Sequence, residues 1–157
     1  MLEWITPIYD RTQQDVDFAK TKIAEWKSGK SNDVYDLKGC LNVSDINRIE
    51  NNIKYLSNKL NELGYSNNTY TKVWSRTGLP NQQDIDRIIN NVKELITAFC
   101  QQQSAPNIPD RLVDYNDINA IEKNLSLIKE LIDYMVNSYK VSGALQSGQT
   151  IYLPIRR

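Results

Sequence analysis

Apolar residues recur along much of this chain in alternating steps of three and four. One run reads Ile46, Ile49, Ile53, Leu56, Leu60 and Leu63. A second reads Ile85, Ile88, Val92, Leu95 and Phe99, and a third Ile118, Ile121, Leu125, Ile128, Ile132, Met135 and Tyr139. A shorter run, Val16, Ala19, Ile23 and Trp26, precedes them. Steps averaging about 3.5 residues place one narrow apolar stripe on an α-helix, the pattern of coiled coils and antiparallel bundles. The pattern predicts helices over 12–28, 42–63, 81–102 and 114–140. The expected fold class is all-α: a bundle of about four main helices built from degenerate helical repeats. A non-helical N-terminal arm and a strand-prone C-terminal tail complete it.

The polar positions repeat with the apolar ones. Asp15, Asp45, Asp84 and Asp117 align four segments, each with Thr, Asn or Asp three residues earlier: Thr12, Asn42, Asn81 and Asp114. Those four are good N-caps, whose side-chain oxygens accept from otherwise unpaired backbone N–H groups. The aspartates then fall at the third helical position, where a carboxylate reaches back to the cap and complements the helix dipole. Three segments carry Asn seven residues past the aspartate, at Asn52, Asn91 and Asn124; the first has Lys22 there. A polar residue on the flank of the stripe is expected to set helix register between neighbours.

Between the helices, "LGYSNNTYTKVWSRTGLP" and "QQSAPNIPDRLV" carry the Gly, Pro and Asn of connections, and "YTKVW" reads as a candidate short strand. Trp4 and Trp74 each precede an Arg-Thr pair and a capped helix. This duplication divides the helical bundle, 1–141, into two related halves, 1–63 and 70–140. Each Trp either staples onto its helix or serves as an aromatic anchor for a partner. The C-terminal tail, 142–157, joins a small-residue link to "TIYLPI". Its Ile151, Tyr152, Leu153 and Ile155 either pack back on the bundle or dock on a neighbouring subunit.

Composition narrows the chemistry. Nineteen Lys and Arg balance nineteen Asp and Glu without clustering, which argues against nucleic acid or an acidic membrane as partner. No apolar run is long enough for a membrane span. "MLEWITPIYD" has neither the basic nor the long apolar region of a secretory signal. Cys40 and Cys100 form no paired motif and are expected as free thiols, Cys100 packing near the third stripe. Histidine is absent, which removes His-based triads and the usual zinc ligands.

The segment "AEWKSGKS" satisfies a loose phosphate-loop pattern. Such a loop needs a buried strand before it and a helix N-terminus after it, whereas here a helix leads in and Gly29 reads as a C-cap. In the pairs Asp15/Asp17 and Asp84/Asp86, side chains two apart on a helix diverge by about 200° and do not share a cation. No catalytic residue, metal ligand, cofactor or small-molecule substrate is expected, and the chain does not read as an enzyme.

"WITPIYDRTQQDVDFAK", "LNVSDINRIENNIKYLSNKL" and "SGALQSGQTIYLPIRR" resemble small structural proteins of tailed phages and prophages of Gram-positive bacteria. The resemblance implies a virion structural component, tail-, baseplate- or fibre-associated, whose partners are other virion proteins and further copies of itself. It carries over no active-site residue. A stand-alone helical interaction or regulatory module is the alternative, and a nucleotide-binding protein using "AEWKSGKS" ranks last.

Overall fold

The computed structural model describes residues 2–30, 36–78 and 80–143. Among them four helices and no strand form: α1 (Gln13–Lys27), α2 (Val43–Glu62), α3 (Gln82–Ala98) and α4 (Tyr115–Gly143). The predicted starts hold to one residue. The third helix stops four residues short of the expected 102, because Phe99 leaves helical geometry and turns its ring edge-on to Tyr65, 4.9 Å between centroids. Cys100 therefore lies beyond the helix and is exposed instead of packed on a stripe. The expected C-terminal tail, 142–157, falls outside the described residues, except for Ser142 and Gly143 in the last turn of α4.

The three long stripes make one core. Ile46, Ile49, Ile53, Leu56 and Leu60 of α2, Ile88, Ile89, Val92 and Leu95 of α3, and Ile118, Ile121, Leu125, Ile128 and Ile132 of α4 are all buried. Each such side chain contributes about 1.5–3 kcal/mol of transfer free energy. The three helices run parallel. Near their N-termini Arg48 of α2 meets Glu122 of α4, and Arg87 of α3 meets Glu50 of α2. Near their C-termini Tyr65, just past α2, touches both Phe99 and the Met135 sulfur of α4. An apolar period fixes which face of a helix is buried but not its direction, and here it does not produce antiparallel neighbours.

A parallel arrangement obliges each connection to return the length of a helix. The 20 residues of α2 rise about 30 Å, which an extended chain covers in roughly nine residues. The connections 63–81 and 99–114 are long enough, and within them residues 65–74 and 101–112 run back along the surface as arms. Residues 2–11 form a first arm of the same kind, so that segments 2–11, 65–74 and 101–112 lie against the three core helices.

The first helix stands apart. Ala19 is its buried residue, while Phe18 and Trp26 are 57% and 51% exposed. Its stripe is short and interrupted by Lys20 and Lys22, too little apolar surface to take a place in the core. It is held instead by the loop before α2. Lys38 bonds the Asp10 carbonyl and pairs with the Asp10 and Asp15 carboxylates, and Gly39 lies directly on the α1 backbone. A Cβ at position 39 would sit 2.0 Å from the Asp15 carbonyl oxygen and 2.6 Å from the Val16 Cα. Gly39→Ala is therefore expected to push the loop off α1, at a cost of about 1–3 kcal/mol. Amide exchange should speed up through α1 while α2 and α4 keep their protection; an undisturbed α1 would refute the contact.

At the other end of α1, Ser28 caps and Gly29 takes a left-handed φ of 73°. The "AEWKSGKS" segment thus opens inside a helix, where a phosphate loop would have a strand. No helix among the described residues is long and apolar enough to cross a membrane.

Candidate functional site

The helix starts build the site. At α1 and α3 the cap and the aspartate exchange hydrogen bonds: Asp15 N–H donates to Thr12 and Thr12 N–H to Asp15 (3.3 and 2.8 Å), and Asp84 and Asn81 do the same (3.0 and 3.2 Å). At α2 the Asn42 N–H donates to Asp45 (3.0 Å), and the Asn42 amide also holds the Leu37 and Cys40 carbonyls. At α4 the Asp114 N–H donates to Asp117 (3.1 Å) and the Asn116 N–H to Asp114 (2.7 Å). The parallel arrangement puts the starts of α2, α3 and α4 at one end, where three aligned dipoles repel. Carboxylates within the first turns lower that cost.

Asp45 does more than cap. Its carboxylate accepts from Arg11 of the first arm (2.9 Å) and from Arg48 (2.6 Å). Both guanidinium groups also reach Glu122 of α4, Arg11 at 3.1 Å and Arg48 at 2.7 and 2.8 Å. Glu122 accepts a further bond from the Ile8 N–H (2.7 Å). Two cations and two anions are thus buried together where arm, α2 and α4 meet. Burial alone would lower the Arg48 pKa, but Glu122 and Asp45 together raise it. A second junction repeats the theme between α2 and α3: buried Glu50 accepts from Arg87 and from the Trp74 indole N–H (3.0 Å).

Asparagines hold the arms. A primary amide presents one acceptor and two donors, as a neighbouring peptide group would, so one side chain satisfies both backbone groups of an extended residue. Asn52 of α2 accepts from Ile5 N–H (3.0 Å) and donates to Ile5 C=O (2.7 Å). Asn119 of α4 does this for Arg11 (3.2 and 2.9 Å), Asn47 of α2 for Trp74 (2.8 and 2.9 Å), and Asn91 of α3 for Tyr70 (3.2 and 2.7 Å). In the third arm Asn124 donates to Pro106 C=O (2.8 Å). Proline has no N–H to return, and Gln101 supplies the donor to Asn124 instead (3.2 Å).

The asparagines at the seven-residue offset therefore do not set register between helices, as expected above. They fix extended chain in the grooves. The expected strand at "YTKVW" is one of those gripped segments, bonded to asparagine side chains with no partner strand. Trp4 and Trp74 both turn inward. Trp4 packs against Tyr55 with the rings tilted by 59° and their centroids 5.6 Å apart, and both rings pack against the core. Glu50 and Glu122 are not among the positions that the repeat singles out, whereas Asn47 and Asn119 stand in it, directly after Ile46 and Ile118, with no role that spacing assigns. Ile151, Tyr152, Leu153 and Ile155 lie outside the described residues. Among the described residues no three His, Cys, Asp or Glu side chains group as metal ligands would.

Two caps respond to acid. Backbone and side-chain bonds from Thr12 hold the Asp15 carboxyl below the usual carboxylate range, and the Lys72 ammonium, 2.6 Å away, with the Asn81 N–H does so for Asp84. A carboxylate depressed in the folded state contributes stability above its unfolded pKa and loses it as pH falls through the folded value. Urea midpoints should hold steady from neutral pH to about pH 5 and decline below about pH 4. Lys72→Met should flatten part of that decline; an unchanged slope would remove Asp84 from the account.

Comparisons with protein-family models, with curated proteins and with solved structures found no match.

Proposed function

We propose that the chain is a structural component of a tailed-phage virion, an adaptor associated with tail, baseplate or fibre. It acts by packing and docking against other virion subunits and further copies of itself. One observation carries the reading: the segments that resemble such proteins are consumed almost residue by residue in fastening arms to helices. In "DINRIENN", Asp45 and Arg48 bind Arg11 and Glu122, Asn47 and Asn52 grip two arms, and Glu50 receives Arg87 and Trp74. In "WITPIYDR", Trp4, Ile5, Ile8 and Arg11 supply the other half of those contacts. A motif spent on cross-bracing suits a part that transmits force and position, and catalysis has no place in this reading.

The unit repeated in this reading is an arm followed by a helix, gripped by Asn at two offsets. The described residues hold three arm–helix pairs, 2–11 with α2, 65–74 with α3 and 101–112 with α4, and the half 70–140 contains the last two helices. Exposed Phe18 and Trp26 on α1, and Tyr134 on α4, offer apolar surface to neighbouring subunits. Mass spectrometry of purified particles from a host carrying the gene tests the proposal. Stoichiometric recovery with tail or baseplate proteins is expected; particles complete without the chain would overturn it.

A further inference from the structure

The outward face of α2 lies between two arms. Leu2 and Ile5 of the first arm and Thr71, Lys72 and Val73 of the second line a groove of about 620 Å³, with α2 as its floor. Asparagines fasten both walls. Asn52 grips Ile5 by its N–H and C=O, and Asn91 and Asn47 grip Tyr70 and Trp74 in the same way. A residue whose own N–H and C=O meet one partner presents both to the same side, as in a strand, and its neighbour presents its pair to the other side. Between Tyr70 and Trp74 the N–H and C=O of Thr71 and Val73 therefore form an edge, and they bond nothing among the described residues. Val73 is also 94% exposed, an aliphatic side chain held in solvent where the groove opens.

We propose that this groove takes an extended, acidic segment of a partner protein, which pairs with the 71–73 edge as a strand adds to a sheet. The edge sets the mode, because unpaired main-chain donors and acceptors in a row are a template for another chain. Charge sets the chemistry. Of the four charged residues in the lining, Arg48 is matched by Asp45 and Glu122, and Glu50 by Arg87, and both are buried. The two accessible charges are cations. Lys54 is exposed on the floor with no ion pair among the described residues, and Lys72 meets Asp84 yet stays 41% exposed. A segment mixing carboxylates with aliphatic side chains complements these lysines together with Leu2, Ile5 and Val73. A second copy of the chain fits the edge poorly. Antiparallel pairing of Thr71, Lys72 and Val73 with themselves would set Lys72 opposite Lys72, and like charges facing across strands repel.

The inference does not need the virion reading, because any protein carrying such a segment can supply the strand. The probe is an acetylated hexapeptide of alternating valine and glutamate, titrated into the isotope-labelled full chain at low salt and followed by amide shifts. Saturable shifts are expected at Thr71, Lys72 and Val73 and from Leu2 to Ile5, with core amides at Ile53 and Leu125 unmoved. The same peptide with lysine in place of glutamate should bind at least about fivefold more weakly, and Lys54→Glu should weaken the glutamate peptide by as much. Val73→Pro removes an edge donor that bonds nothing within the described chain, and should abolish binding. Should that variant displace the arm from Asn47, Lys54→Glu still decides. No saturable binding up to about 1 mM peptide, equal binding of the lysine peptide, or indifference to Lys54→Glu would each overturn the proposal. So would the same shifts on concentrating the chain alone, which would give the edge to a second copy.

Discussion

Replacing Glu122 by alanine is expected to destabilise the fold by about 3–5 kcal/mol, the usual result when one partner of a buried ion group is removed. The side chain is 1% exposed and accepts from Arg11, from Arg48 and from the Ile8 N–H. Without it two guanidinium groups share one carboxylate, Asp45, away from water. Against a total of about 5–15 kcal/mol for a domain of this size, that loss brings the chain close to unfolding at ambient temperature. Urea denaturation measures it directly. Glu122→Gln separates charge from shape: it keeps an acceptor for Ile8 but not the charge, and should recover only a minor share. A loss under about 1 kcal/mol for the alanine variant would mean that water enters the junction readily.

Asn47→Ala with Asn91→Ala is expected to free the second arm. Asn47→Ala leaves the Trp74 N–H and C=O without their amide partner, at about 1–3 kcal/mol, whereas after Asn91→Ala the exposed Tyr70 keeps Arg87 on its C=O and the loss should lie at or below the lower end of that range. Together they should cost less than the sum of the two single losses. The pattern of exchange matters more than the sum. Amides at Tyr70 and Trp74 should exchange by local opening, while α4 follows global unfolding. Because the two asparagines hold one short segment from two helices, the pair should be non-additive: once one end is free, the other holds less. Strict additivity would show that the arm is fastened at independent points.

The sequence carried much of this in its periods. Helix positions, buried stripes and cap residues follow from spacing, because each is decided within four residues of itself. Direction is not local. The stripes of α2, α3 and α4 pack equally well either way, and only the long connections hinted at a return along the surface. The asparagines were visible as a repeat, yet their partners are 21 and 47 residues away for Asn91 and Asn52, beyond what spacing can identify. Glu50 and Glu122 left a fainter trace. Each directly follows a stripe isoleucine, Ile49 or Ile121, and lies one turn before the next core position. A carboxylate there must find a cation, and Arg48 and Arg87 were the ones to suspect. The candidate site was thus legible as a set of polar positions, but not as a set of pairs.

The first arm also imposes an order on synthesis. Its Ile8 and Arg11 are fastened to Glu122 and Asn119, separated from them by 114 and 108 residues. While a ribosome makes the chain, the second arm can settle between α2 and α3 as soon as both have emerged. The first arm can engage Asn52 and Asp45 once α2 is out, but waits for α4 to supply Glu122 and Asn119. Closing so distant a contact is slow relative to local pairing, and meanwhile the N-terminal segment is open to any partner offering a carboxylate beside a groove.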